Sequence, residues 1–176
     1  RAFAGDDGPR IGAVAVVYPA SGGVLFGGEF GVARFDGERF RTLPASRVPA
    51  LTLVSGIVET PDGDLWFNTQ TGVVRAAAVD FSRALDADDA GLANTLFDFR
   101  DGLPGAAEQD AFVNTAARAG DGRLWFATSH GVAWIDPAHV YRSARPPPVS
   151  IRALVADGAA QSLPRDVALP QNVSTL

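Results

Sequence analysis

Apolar residues along this chain come in short runs, each followed by a polar turn that a glycine closes and then by a second apolar run. The fullest copy reads Gly122-Arg123-Leu124-Trp125-Phe126-Ala127-Thr128-Ser129-His130-Gly131-Val132. Gly63-Asp64-Leu65-Trp66-Phe67-Asn68-Thr69-Gln70-Thr71-Gly72-Val73 nearly repeats it. A weaker version is Gly22-Gly23-Val24-Leu25-Phe26-Gly27-Gly28-Glu29-Phe30-Gly31-Val32. Gly31, Gly72 and Gly131 stand 41 and then 59 residues apart, a period that marks an array of similar supersecondary units.

Each copy has the grammar of an antiparallel hairpin. In the last, the arms are 123–128 and 132–136, with Ser129-His130-Gly131 as the turn. Glycine there suits the positive φ of a tight hairpin loop, which a side chain would resist. Asp62-Gly63 and Asp121-Gly122 precede the first arms, and Asp-Gly between apolar runs is a hairpin signal, so further strands are predicted at 55–60 and 112–118. The Leu-Trp-Phe runs are apolar on both faces, as in a sheet held between two others. Trp66 and Trp125 are predicted to be core, each indole N–H with a partner.

The extra residues between the last two copies include Phe81, Ala84, Leu85 and Leu92 among polar residues, a spacing that predicts a short surface helix near 81–92, N-capped by Ser82. Residues 97–105 read as an outer strand running into a turn. Arg145-Pro146-Pro147-Pro148 cannot feed a ladder and reads as a stiff spacer. Beyond it, 149–155 alternates like a strand buried on one side, and Asp157-Gly158 turns the chain. The expected division is 1–144, a connector at 145–148, and a separate β module over 149–176.

Composition narrows the function. The chain is 47% hydrophobic and 20% charged, the balance of a folded protein. A net charge of −5 without a basic run gives no footprint for nucleic acid or an anionic membrane surface. There is no cysteine, so thiolate metal sites and disulfides are absent. The longest apolar run, 11–18, is too short to span a bilayer as a helix. The chain starts at Arg1, holds no methionine and ends on Val173-Ser174-Thr175-Leu176, and it reads as an internal piece of a longer polypeptide.

Catalytic chemistry finds little support. Six aspartates directly precede glycine and read as turn residues, and the four glutamates, Glu29, Glu38, Glu59 and Glu108, show no pairing for acid–base work. His130 and His139 fit no metal-ligand spacing, and His130 reads as a solvated turn residue. Neither a serine triad motif nor a phosphate loop is present; Gly22-Gly23 and Gly27-Gly28 read as close packing or a bulge. No metal, no cofactor and no enzymatic activity are expected of this segment.

The pattern Asp-Gly-x-Leu-Trp-Phe-x-Thr-x-x-Gly-Val over 121–132, followed by Trp134-Ile135-Asp136-Pro137, resembles the repeat of the two-component regulator propellers, which build periplasmic sensor regions of bacterial histidine kinases. Asp101-Gly102-Leu103-Pro104-Gly105 and the proline-rich exit resemble the end of such a sensor, and Pro148-Val149-Ser150-Ile151 resembles the opening of its immunoglobulin-like, triple-tyrosine module. The first copy departs, with Phe26 near the tryptophan position and Gly22-Gly23 for Asp-Gly; the second has Asn68 before Thr69. The resemblance implies an all-β fold: a partial β-propeller of about three blades of four-stranded antiparallel sheet, then the first strands of an immunoglobulin-like sandwich.

It further implies a periplasmic, ligand-recognising segment of a two-component signalling protein. Its partners would be the remaining blades and sandwich of a membrane-anchored, dimeric parent and an unknown small-molecule or glycan ligand, with no membrane contact by this segment. The alternatives are a piece of a secreted propeller enzyme acting on carbohydrate or lactone, or a protein-binding scaffold. Phe26, Trp66, Trp125, Gly31, Gly72, Gly131, Asp62, Gly63, Asp121 and Gly122 are assigned to the repeated frame. The ligand candidates are the turn residues Glu29, Phe30, Gln70, Thr71, Ser129 and His130, which differ between copies and could face either the channel end or the outside.

Overall fold

The computed structural model describes residues 2–87, 90–108, 113–140, 154–156 and 159–161. The chain divides into two compact units, Arg1–Val140 and Tyr141–Leu176. In the first, β1 (Val14–Ala20), β2 (Gly23–Gly28), β3 (Gly31–Phe35) and β4 (Phe40–Pro44) form one antiparallel meander. A second runs through β5 (Gly56–Glu59), β6 (Leu65–Thr69), β7 (Gly72–Ala76) and β8 (Thr95–Phe97), with helix α1 (Ala78–Asp86) between the last two strands. The third has β9 (Ala116–Arg118), β10 (Leu124–Thr128) and β11 (Gly131–Ile135). The first strands adjoin, β1 against β5 and β5 against β9. In the second unit β12 (Leu154–Ala156) pairs antiparallel with β13 (Ala159–Gln161); the proline connector and the Asp157-Gly158 turn lie outside the described residues.

Register makes the repeats superposable. Gly28 faces Gly31, Thr69 faces Gly72 and Thr128 faces Gly131, which aligns Phe26 with Phe67 and Phe126. Leu25, not Phe26, therefore holds the place of Trp66 and Trp125. The three closing glycines have φ of 128, 137 and 136°, which disfavours any side chain. A Cβ on Gly31 would stand 2.4 Å from the Leu43 carbonyl oxygen, and one on Gly72 would stand 2.2 Å from that of Phe97. Around Gly131 nothing lies within 4 Å, because among the described residues no fourth strand covers β11.

Alternation along each strand decides which sheet each side chain meets. Leu25 packs with Ile57, Leu65 and Phe67 between the first two sheets. Trp66, wholly out of solvent, points the other way, with Leu124, Phe126 and Ala116 of the third sheet. It stacks on Phe97 at 5.5 Å, and full burial of so large an apolar group is worth about 1.5–3 kcal/mol. Trp125 is not core: it is 37% exposed, because β10 turns Leu124 and Phe126 inward and leaves Trp125 on a face that no described sheet covers. Nor does the Trp66 Nε1–H find an acceptor among the described residues.

Helix α1 starts earlier than its sequence signal and stops sooner. Ala77 precedes it without a side-chain cap, while Ser82 lies inside it and accepts from Arg34 Nη1 at 3.4 Å. Phe81, Ala84 and Leu85 form the buried stripe expected of an amphipathic helix. Arg47 ends it, donating to the Ala84 carbonyl of the last turn and to that of Ala87 just beyond, which also accepts from Ala90 N. Leu92 is buried beyond the helix, outside any helix or strand. The strand expected over 97–105 also ends at once, after Phe97. Asp98 accepts from the Arg100 amide and Asp101 from the Asp98 amide, a capping box that turns the chain into a 3-10 helix.

Candidate functional site

The six variable turn residues lie in equivalent hairpins, β2–β3, β6–β7 and β10–β11, and all six are exposed. The segments joining consecutive sheets hold these hairpins at one common end. Leu53 N donates to the Glu29 carbonyl at 3.1 Å, while Gln70 N donates to the carbonyl of Thr52, one residue away, also at 3.1 Å. Thr71 Oγ1 reaches the Ala50 carbonyl of the same connector. The next connector repeats the device: Ala107 N donates to the Thr69 carbonyl at 3.2 Å, and Ser129 N to the Ala106 carbonyl at 2.9 Å. Glu29-Phe30, Gln70-Thr71 and Ser129-His130 thus form a row fastened through backbone.

Glycines let the backbone come close beneath two of these turns. A Cβ on Gly12, whose φ is 72°, would lie 2.8 Å from the Phe30 ring. One on Gly105, φ 120°, would lie 2.6 Å from His130 Nδ1 and 2.7 Å from Ser129 Oγ. Ser129 Oγ and His130 Nδ1 are themselves 3.0 Å apart. Phe30 is 54% exposed, a large apolar ring held in solvent by a short turn. The threonines before the turns are a feature the sequence reading missed. Thr69 Oγ1 donates to the Gly72 carbonyl at 2.8 Å and Thr128 Oγ1 to that of Gly131 at 3.1 Å, closing each loop from within. The signal was there, in the Thr shared by the two stronger copies.

Behind the row lies a buried polar seam between the second and third sheets. Asn68 Nδ2 donates to Thr115 Oγ1 at 3.0 Å and to the Ala127 carbonyl at 2.8 Å. Ser55 Oγ lies 2.9 Å from the same threonine oxygen. Asn114 accepts from Ile57 N and donates to Ile57 O, both at 2.9 Å, so its amide stands in for a neighbouring strand along the free edge of β5. Asn68 was visible only as a departure from the repeat, at a place where the other copies hold Gly27 and Ala127.

Asp62-Gly63 and Asp121-Gly122 occupy the opposite end of the sheets, in the β5–β6 and β9–β10 turns, where Gly63 and Gly122 have φ of 88 and 90°. The Thr60 hydroxyl holds the Asp62 carboxyl below its usual range, and the Arg75 guanidinium adds to the effect. Arg75 itself pairs with Asp64 at 2.6 Å. Among the described residues, no three His, Asp or Glu side chains gather as metal ligands. Beside β4 lies an open groove of about 570 Å³, whose Arg41 is engaged by Asp36 and Asp86.

No family model matches the sequence, and no curated protein matches it. Among solved structures, the fold is similar to the extracellular domain of a hybrid two-component system protein, BT3049, from B. thetaiotaomicron. The TM-score is 0.60 at 18% identity, and the match covers 91% of this chain. This likeness establishes the fold alone. The chain spans 20% of that structure's length. Among the described residues, no helix is long and apolar enough to cross a membrane.

Proposed function

We propose that this chain is part of an extracytoplasmic, ligand-recognising propeller of a two-component signalling protein, and that it reads its ligand through the turn row. Three consecutive sheets act as blades; the Leu-Trp-Phe strands build the frame, and Glu29, Phe30, Gln70, Thr71, Ser129 and His130 face the ligand. The observation that carries this reading is the fastening of all three turns to one end by the two connectors. Such a row offers a carboxylate, an aromatic ring, an amide, hydroxyls and an imidazole side by side, the mixture that orients a small polar molecule or glycan. On this reading the segment binds and does not catalyse.

The uncovered face of the third sheet belongs to the same account. Trp125, Val132 and Trp134 are exposed there, at positions that face the next sheet in earlier copies. A further blade of the parent polypeptide covers them, and residues 149–176 open an immunoglobulin-like sandwich leading to an anchored, dimeric output protein. Thermal-shift screening of the whole extracytoplasmic region against glycans and metabolites tests the reading. A stabilising ligand whose effect is lost in Phe30→Ala and His130→Ala supports it; a ligand whose shift survives both substitutions contradicts the assigned site.

A further inference from the structure

The first strands of the three sheets hold equivalent residues opposite the aligned phenylalanines: Val17 pairs with Phe26, Ile57 with Phe67 and Ala116 with Phe126. At this position in β5 and β9 the backbone turns its amide away from the sheet, and one side chain meets both. The Ile57 and Ala116 amides donate to Asn114 Oδ1 at 2.9 and 3.2 Å, and Asn114 Nδ2 donates back to the Ile57 carbonyl at 2.9 Å. Val17 has the same register, so its N–H and C=O point to the edge of β1 that β2 does not cover. Pro19, two residues on, agrees with that direction, since a proline within a strand turns its missing donor away from the ladder. No described residue meets the Val17 amide or carbonyl from that side. An open groove of about 370 Å³ runs along it instead, lined by Val14, Ala15, Val16, Val17 and Asn114, with Val14 and Val17 exposed.

We propose that the Val17 edge binds a small molecule carrying a primary carboxamide on a short aliphatic chain, seated on Val17 as Asn114 is seated on Ile57. The amide oxygen accepts from the Val17 N–H, the amide nitrogen donates to the Val17 carbonyl, and the aliphatic chain lies on Val14 and Val17. A primary carboxamide presents a donor and an acceptor side by side. A carboxylate offers acceptors only, and a trans secondary amide points its N–H and C=O in opposite directions. An added strand is a poor occupant: the register shift between Val14 and Val16 and the missing donor of Pro19 leave only Val17 in reach of a regular ladder. The site uses none of the six turn residues, so it stands or falls independently of the turn row.

The test is a titration of the full chain with butyramide, followed through the assigned Val17 amide resonance. N-methylbutyramide and butyrate serve as matched probes. Butyramide is expected to shift that resonance saturably, and each matched probe to bind about tenfold more weakly, the loss of one hydrogen bond. Val17→Pro removes the donor without touching a ladder bond, as Pro19 already does, and is expected to abolish the saturation-transfer signal of bound butyramide. The probe comparison on the native chain needs no variant and decides the matter even if Val17→Pro misfolds. A Val17 amide unmoved by butyramide, or moved equally by N-methylbutyramide or butyrate, overturns the proposal. So does butyramide binding that survives Val17→Pro.

Discussion

Asn68 donates one amide nitrogen to Thr115 Oγ1 and to the Ala127 carbonyl, tying the second sheet to the third through a contact that solvent does not reach. The first and second sheets meet instead through Leu25, Phe67 and their aliphatic neighbours. The second seam therefore adds a buried polar tie to its own apolar packing of Trp66, Leu124 and Phe126. An apolar seam tolerates sliding, whereas a buried amide fixes register because a missed partner is costly.

Asn68→Ala is therefore expected to destabilise the protein by about 1–3 kcal/mol, the loss of its two Nδ2 hydrogen bonds to Thr115 and Ala127. Urea denaturation measures it. An unchanged midpoint would show that the seam does not depend on this amide.

Gly72 and Gly131 separate backbone strain from steric closure. Both have φ near 137°, so an alanine at either costs about 1–3 kcal/mol in backbone strain. At Gly72 the new Cβ also meets the Phe97 carbonyl, so Gly72→Ala is expected to lower the melting temperature well beyond Gly131→Ala. Equal losses would mean that β11 carries a covering strand.

Turn carboxylates besides Asp62 contribute to acid sensitivity. Backbone amides of Arg39 and Glu38 hold Asp36 below 3.8, and the His139 side chain, with the Ala138 amide, does the same for Asp136. A carboxyl whose pKa is lower folded than unfolded stabilises the fold above the unfolded value, and that contribution fades as pH falls through the folded one. Melting temperature is thus expected to fall as pH drops below about 3.8, less steeply in Asp36→Asn. Identical profiles for the variant and the native chain would contradict this.

Trp125 and Trp66 are expected to respond oppositely to charge. Trp66→Lys places an unpaired ammonium in the core and should abolish cooperative unfolding. Trp125→Lys removes part of an exposed apolar face and should reduce self-association of the isolated chain, as read by light scattering. If both variants unfold, Trp125 is buried in solution.

The repeat, its hairpins and the three closing glycines were legible in the sequence, because turn chemistry and strand alternation are local. Trp66 and Trp125 look alike in the sequence; only the presence of a following sheet separates them. The start of α1 was misread for a similar reason: Ser82 is a good cap in isolation, but Arg34 takes its hydroxyl and Phe81 must reach Phe67. The common end of the turn row rests on connector carbonyls at Thr52 and Ala106, and no residue type announces a backbone acceptor.

The most direct test of the turn row is an amide-resonance map of the extracytoplasmic region, recorded while it is titrated with the ligand found by thermal shift. The account predicts saturable shifts at Phe30, Thr71 and His130 with a single dissociation constant. A bound ligand that leaves all three unmoved would contradict it.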